Sequence, residues 1–478
     1  MTTAYYFQAR VSHQISKLER RVKQEIALNQ EILQVIEEDK RRKKEEIEAA
    51  NASADERQKN RNDINEGKVL PEKEEKDTKD NDKDAQASQE DLTRTSKISH
   101  NVPTHGKLLD GSPIIAVLVF SCNRVTVQRC IDQLIKHRPS IEQFPIIVSE
   151  DCQHRQTAEV IARYGDQIMH IQVYTIALMF FMIPDCEKLT ESNSLQQPDQ
   201  SDIEVPPKEK KFKGYFKIAR HYGWALNHVF FQLGYDTVII VEDDLDIAPD
   251  FFEYFLGTYP LLVSDNSLWC VSAWNDNGKA GLVDENAADI LYRTDFFPGL
   301  GWMLTRQLWT ELSPKWPKSY WDDWIRQPEQ RRNRACIRPE ISRTRTFGKA
   351  GVSNGMFYER HLKYIKLNTE HVYFTNMNLT YLSKDNYDMS FVNDVYQSTV
   401  VSFSELKNGK VVAPGAVRIP YYSRQAYKNT AKQFGLMDDF RSGVPRTGYR
   451  GVVTFFYKGR RVHLAPSPNW NGYDITWS

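Results

Sequence analysis

The sequence predicts an α/β fold in which a mostly parallel sheet carries helices on both faces. Two observations predict it. Short apolar runs alternate with amphipathic stretches from about residue 110 to residue 250, the pattern of strand–helix–strand units. Three of those runs end in polar motifs, "SCNR", "SEDC" and "VEDD". Ligands of such sheets bind outside the carboxyl ends of the strands, so topology and chemistry point to one edge.

The elements follow in order. "PIIAVLVFSCN" (113–123) reads as a buried strand ending in a polar turn, and "TVQRCIDQLIKHR" (126–138) as an amphipathic helix. "FPIIVSEDC" (144–152) is a second strand, "TAEVIARYG" a helix closed by Gly165, and "HIQVY" a third strand. "FKIARHYGWALNHVFFQLG" is a helix ending at Gly234, and "TVIIVEDD" the next strand. After residue 385 the pattern changes. "VRIPYYS", "YRGVVTFFYKGRRVHLAP" and "GYDITWS" read as strands of a small mixed domain.

The ends of the chain differ from this core. Residues 11–40 read as an amphipathic helix with Ile15, Leu18, Val22, Ile32 and Ile36 on heptad seam positions, and Glu25 and Asn29 interrupting the seam. A self-associating stalk and a solvated single helix are both compatible with it. Residues 41–109 are charged and poor in aromatics, so they cannot bury a core and read as a disordered stem. Residues 110–348 form the main domain, 349–384 a linker with a mobile loop, and 385–478 the small domain.

One segment interrupts the αβ pattern. Residues 173–196, "VYTIALMFFMIPDCEKLTESNSLQ", begin with a Val and end with a Gln, ends that a short retained intron could encode. A genuine surface insertion is the alternative. The longest apolar run, "VYTIALMFFMI", has eleven residues, whereas a helix crossing a bilayer needs about 20. "MTTAYYFQARVSHQ" has no apolar signal-peptide centre.

Composition excludes some functions. Lys plus Arg and Asp plus Glu are both 63, so no basic surface argues for nucleic acid. Aromatics make up 12% of the chain, enough for a substantial core. The six cysteines form no CxxC pair, which leaves zinc and thioredoxin-like readings little support. The sequons at Asn51 and Asn378 lean toward the secretory route.

The chemistry concentrates at "VEDDL". Glu242, Asp243 and Asp244 follow a buried strand, and three adjacent carboxylates repel unless a cation joins them. A hard divalent ion, sharing its shell with substrate phosphates, would do so. A turn and helix cap explain Asp246 and Asp250 equally well, but not the three acids. Arg124, at the first strand end, suits a phosphate or an acid of that cluster. Asp151, at the second, suits a nucleobase or ribose, or is a turn residue. His221 suits ribose or phosphate, or is structural. In "PKSYWDDWIRQ", Asp322 and Asp323 lie between Trp321 and Trp324. Indole walls would raise a carboxylate's pKa toward that of a useful base. "RTDFFPGLGWML" (293–304) is a glycine-rich turn suited to close backbone approach. "RTFGKAGVSNG" (345–355) reads as a loop that closes over an anionic cofactor.

From about 110 to 478, apart from 173–196, the sequence resembles the N-acetylglucosaminyltransferase I family. The stretches that carry the resemblance are "FPIIVSEDC", "KIARHYGWAL", "VEDDLDIAPDFFEYF", "SLWCVSAWNDNGK", "LYRTDFFPGLGWML", "PKWPKSYWDDW", "RACIRPEISRT" and "GVPRTGYRG". The resemblance implies a glycosyltransferase A-type, nucleotide-sugar-binding fold. It implies transfer of GlcNAc from UDP-GlcNAc, with inversion, to the 2-hydroxyl of the α1,3-arm mannose of N-glycans on glycoproteins. By the same resemblance Asp244 binds Mn2+ and Asp322 is the catalytic base. Glu242 and Asp243 contact ribose, sugar or metal-bound water, and Arg124, Asp151 and His221 grip UDP. Val352 and Ser353 close over the diphosphate, and Leu300 and Trp321 line the sugar pocket. Cys122 pairs with Cys152 and Cys270 with Cys336, leaving Cys130 free. The family is anchored in the Golgi membrane by one span with a lumenal catalytic part; this chain has no such span, and an incomplete N-terminus is the expectation. The readings that compete are a β1,2-GlcNAc transferase acting on O-linked mannose, an inactive splice variant that only binds sugar, and a cytosolic nucleotidyltransferase.

Overall fold

The computed structural model describes Arg41 and residues 106–172, 203–349, 351 and 355–477. Past Arg41 these belong to one compact unit, Lys97–Ser478. The 11–40 helix, the stem up to residue 105 other than Arg41, and the 173–196 segment lie outside the described residues.

The expected alternation is present. Strand β1 (Ala116–Ser121) leads to helix α1 (Val127–His137), β2 (Ile146–Glu150), α2 (Arg155–Ala162) and β3 (Met169–Gln172). Then come α3 (Lys213–Asn227), β4 (Thr237–Glu242), β5 (Leu245–Ile247) and α4 (Phe251–Ser264). The chain continues through β6 (Leu268–Ser272), β7 (Leu291–Thr294), β8 (Trp302–Thr305), α5 (Arg306–Leu312), α6 (Trp321–Ile325), β9 (Ala335–Pro339) and β10 (Thr344–Thr346).

The central sheet has eight strands in the order β3-β2-β1-β4-β8-β6-β9-β7. The contiguous block β3, β2, β1 and β4 is parallel, whereas β8 and β7 run against their neighbours. Every residue of β1 is buried, as a strand covered on both faces requires. Its side chains alternate between two cores. Val117 and Val119 pack with Cys130, Ile131 and Leu134 of α1 and Phe251 and Phe255 of α4. Ala116, Leu118 and Phe120 pack with Tyr222 and Leu226 of α3 and Leu308 and Leu312 of α5.

Three local expectations need correcting. Helix α3 does not run unchanged to Gly234: residues His228–Gln232 widen into a π-helical turn before Gly234 stops the chain at φ 77°. Asp250 stands at the start of α4 without capping it. Its carboxylate instead meets Arg343 at 2.9 Å and Asn368 at 2.9 Å inside the protein. Asp246 likewise pairs with Arg129 at 2.7 Å and Arg345 at 2.9 Å. Sequence spacing favoured local caps, but arginines from distant segments claimed both acids.

The C-terminal part holds α7 (Lys384–Gln397), β11 (Thr399–Val400), β12 (Val417–Pro420), α8 (Arg424–Phe434), β13 (Phe440–Arg441), β14 (Val444–Pro445), β15 (Val453–Tyr457) and β16 (Arg460–Ala465). A four-stranded sheet, β11-β12-β16-β15, has its own apolar cluster around Tyr427, Phe455 and Leu464. The β15–β16 hairpin turns on Lys458 and Gly459, both at positive φ, the backbone that two-residue hairpin loops favour. "GYDITWS" is not a strand; it is an irregular tail tied down where the Tyr473 hydroxyl donates to Asp295 at 2.6 Å.

Candidate active site

Because β1, β2 and β4 are parallel neighbours in register, Phe120 beside Glu242 and Ser121 beside Glu150, their carboxyl ends finish at one edge. The loops beyond bring Arg124, Asp151, Glu242, Asp243 and Asp244 to the wall of one cavity of about 710 Å³, with His221 from α3. The Cys122–Cys152 disulfide ties the first two strand ends together beside Arg124 and Asp151. Cys270 and Cys336 also pair, and Cys130 is a buried free thiol, as the resemblance implied. Cys186 lies outside the described residues.

Arg124 is the cation that makes three consecutive acids tolerable. One guanidinium nitrogen donates to Asp243 at 3.0 Å and to Asp244 at 2.8 Å. One positive charge does not neutralise three acids. Burial, reinforced by the neighbouring Asp244 charge, pushes the Glu242 carboxyl up to about 7. Burial pushes Asp243 up to about 6 against the pull of Arg124, and it raises Asp244 as well. Among the described residues no three His, Cys, Asp or Glu side chains gather into a complete protein cage for a metal. The donor set still fits a small hard cation that takes one or two carboxylates and completes its shell from phosphate oxygens and water. Asp244 would supply such a carboxylate with Asp243 beside it, and such an ion would relieve the residual negative charge.

His221 is buried, with Nε2 2.7 Å from the Ser149 hydroxyl and its ring edge-on to Phe120 at 4.9 Å. Burial lowers its pKa from 6.5 to about 4, so it is neutral near pH 7. Between those two values the unfolded histidine holds a proton and the folded one does not, so stability falls as pH falls through that window. The stability gap between wild type and His221→Gln is therefore expected to shrink from pH 6.5 to pH 4, by up to about 1.4 kcal/mol per pH unit. Melting temperatures of both proteins across that range check it; a constant gap contradicts it.

Tyr222, which no sequence motif singles out, lines this cavity and touches residues that border a second. Its hydroxyl donates to Glu242 at 2.9 Å, and its ring stacks on Phe120 at 3.8 Å and on Trp321 at 4.5 Å. The second cavity, about 470 Å³, is lined by Leu300, Trp321 and Asp322, and shares Glu242 with the first. Val352 and Ser353 lie outside the described residues, as do Ala350 and Asn354, but residues 345–349 and 351 of their loop are described. Strand β10 pairs antiparallel with β5, immediately after the acids, and the Phe347 amide donates to the Asp244 carbonyl at 2.9 Å. The Arg129 guanidinium lies 4.3 Å over the Phe347 ring. A Cβ on Gly348 would collide with the Asp244 carboxylate, and one on Gly351 would lie 3.1 Å from Arg124.

The setting of Asp322 differs from the expected indole cage. Trp321 points into a buried stack with Trp302 at 6.0 Å and Trp316 at 5.8 Å. The Asp322 side chain is 45% exposed and meets Arg326 at 3.0 Å. Consecutive residues of a short helix project about 100° apart, so the Trp321 indole does not pack over the Asp322 carboxylate, although both border the second cavity. Arg326 also holds Asp323 at 3.2 Å, which pairs with Arg441 at 2.9 Å. From Arg441 an alternating chain runs to Asp439 at 3.5 Å, Arg446 at 3.0 Å and Asp276 at 2.9 Å. The arginines 441 and 446 come from the C-terminal part, more than 100 residues away in sequence, and no local pattern marks them.

With a divalent cation to relieve its surplus negative charge, the first cavity would suit a nucleotide's phosphates, and the second a sugar. That pairing, on a mostly parallel sheet, is the layout a glycosyltransferase with a nucleotide-sugar donor requires. The GNT-I family model matches residues 32–192 and 185–477, and the chain belongs to that family. An alpha-1,3-mannosyl-glycoprotein 2-beta-N-acetylglucosaminyltransferase from Arabidopsis thaliana is 38% identical over 365 residues, which cover 75% of this chain and 76% of the relative. Among solved structures, a mannosyltransferase from Pyrobaculum calidifontis in complex with GDP-Man and Mn2+ is 14% identical at a TM-score of 0.26, covering 42% of this chain and 46% of that one. S. aureus TarS 1–349 in complex with UDP is 13% identical at a TM-score of 0.30, covering 48% and 58%. The chain thus spans about half the length of these two solved structures. No helix among the described residues is long and apolar enough to cross a membrane.

Proposed function

We propose that this chain transfers GlcNAc from UDP-GlcNAc to the 2-hydroxyl of the α1,3-arm mannose of a mannose-terminated N-glycan, with inversion at C1. The observation that carries the reading is the junction of the two cavities at Glu242, with the acids and Arg124 on one side and the half-exposed Asp322 on the other. Membership of the GNT-I family and the activity named for the Arabidopsis relative support the choice of donor and acceptor.

The donor sugar is α-linked and the product β-linked, so one displacement suffices. Asp322 takes the proton from the attacking hydroxyl. Arg124, charged and fixed beside Asp243 and Asp244, faces the negative charge that develops on departing UDP. Asp151 and His221 hold the nucleoside end, and Leu300 and Trp321 bound the sugar. The loop of residues 345–355, carrying Val352 and Ser353, closes over the diphosphate and excludes water. A divalent cation held by Asp244, with Mn2+ as the first candidate, would supply electrophilic stabilisation of the leaving diphosphate. The family likeness supports a Golgi-lumenal setting for this work.

The test is transfer from labelled UDP-GlcNAc to a five-mannose N-glycan. Chelation is expected to lower the rate by about 10²-fold or more, with recovery on adding Mn2+. A preference for an O-mannosyl peptide over the N-glycan would overturn the reading.

A further inference from the structure

The second cavity holds more than a wall for the reacting sugar. Its rim carries Phe212, Tyr215 and Tyr320 beside Asp322. Tyr215 and Tyr320 stack with ring centroids 4.9 Å apart, and Phe212 lies 6.3 Å from Tyr215 and 6.4 Å from Tyr320. This is not core packing: Phe212 is 37% exposed, and both tyrosines are only partly buried.

The backbone gives a second, independent observation. Tyr320 sits in the left-handed region at φ 49°, ψ 46°, directly before the helix that carries Asp322. That conformation is strained for an aromatic residue, and such strain persists where the surroundings impose it, often at ligand clamps. Here it delivers the ring to Tyr215 at the cavity mouth. The same cavity is lined by Asp323 and Arg441, an ion pair at 2.9 Å with Asp323 half exposed.

Aromatic faces beside an accessible carboxylate–guanidinium pair complement a hexose. A hexose ring has an apolar C–H face that packs on aromatic rings, and hydroxyls that both donate and accept. We propose that Phe212, Tyr215 and Tyr320, with Asp323 and Arg441, form a subsite for a second hexose of the acceptor, next to the mannose that receives GlcNAc. The proposal rests on the function proposed above. It makes acceptor choice a matter of the neighbouring sugar as well as the reacting one.

The test compares a branched five-mannose N-glycan with methyl α-mannoside, a single hexose, as acceptors. Two variants are used, because Tyr320→Gly removes a ring where glycine accepts the backbone, and Tyr215→Leu leaves that turn alone. Wild type is expected to favour the glycan in kcat/KM. In both variants that preference is expected to fall about tenfold, the scale of one lost aromatic contact, with the KM for UDP-GlcNAc unchanged. Equal losses on both acceptors, or an unchanged preference, overturn the subsite. Failure of wild type to use either mannoside while still binding UDP-GlcNAc instead overturns the underlying function.

Discussion

Asp322→Asn is expected to lower kcat by about 10²- to 10⁴-fold, the usual worth of a positioned general base. Asparagine keeps the size of the side chain and an oxygen that accepts from Arg326, which lies 3.0 Å from the native carboxylate. It cannot take up the proton of an attacking hydroxyl. The affinity for UDP should stay within a few fold, because the acids and Arg124 line the other cavity. The fold should also survive: the side chain is 45% exposed, and exposed ion pairs contribute little to stability. Asp323→Asn is the control. Its carboxylate is bonded to both Arg326 and Arg441, so losing its charge disturbs orientation without removing a proton acceptor, and a smaller loss is expected. Single-turnover rates, UDP titration and melting temperatures separate these effects. Activity of Asp322→Asn within threefold of wild type would remove Asp322 from the mechanism.

Gly348→Ala is the second large effect, and no sequence motif announces it. The new methyl group would occupy the space of the Asp244 carboxylate. That carboxylate cannot simply swing aside, since Arg124 holds it at 2.8 Å. The backbone is held too, by the pairing of β10 with β5 and by the Phe347 amide on the Asp244 carbonyl. Either the acid or the loop must move by an ångström or more. Misplacement on that scale costs about 10² in rate. Gly351→Ala is milder on the same grounds, because its neighbour at 3.1 Å is the far end of the Arg124 side chain. The comparison is read from kcat/KM and from UDP affinity. Equal activity of Gly348→Ala and wild type would mean that the loop does not lie against Asp244 during turnover.

The sequence by itself determined the parallel half of the sheet and the edge where the site lies. The reason is local: a continuous apolar strand followed by an amphipathic helix leaves few ways to bury both, and polar residues at the strand ends then share one edge. Arg124, Asp151 and the acids Glu242 to Asp244 are legible because each lies at or just past the end of a strand. The limits were equally physical. Asp246 and Asp250 look like helix caps until Arg129, Arg345 and Arg343 arrive from elsewhere. Trp321 and Trp324 look like the walls of a base until the short helix turns the Trp321 indole inward and leaves Asp322 facing Arg326. Tertiary structure alone decided that Tyr222 would bond Glu242 and stack on Trp321, that Gly348 would back onto Asp244, and that Arg441 and Arg446 would line the cavity of Asp322. Such contacts join residues from separate elements, and periodicity carries no record of them. Charge pairing and ring stacking between distant segments are settled by packing, once the local elements already exist.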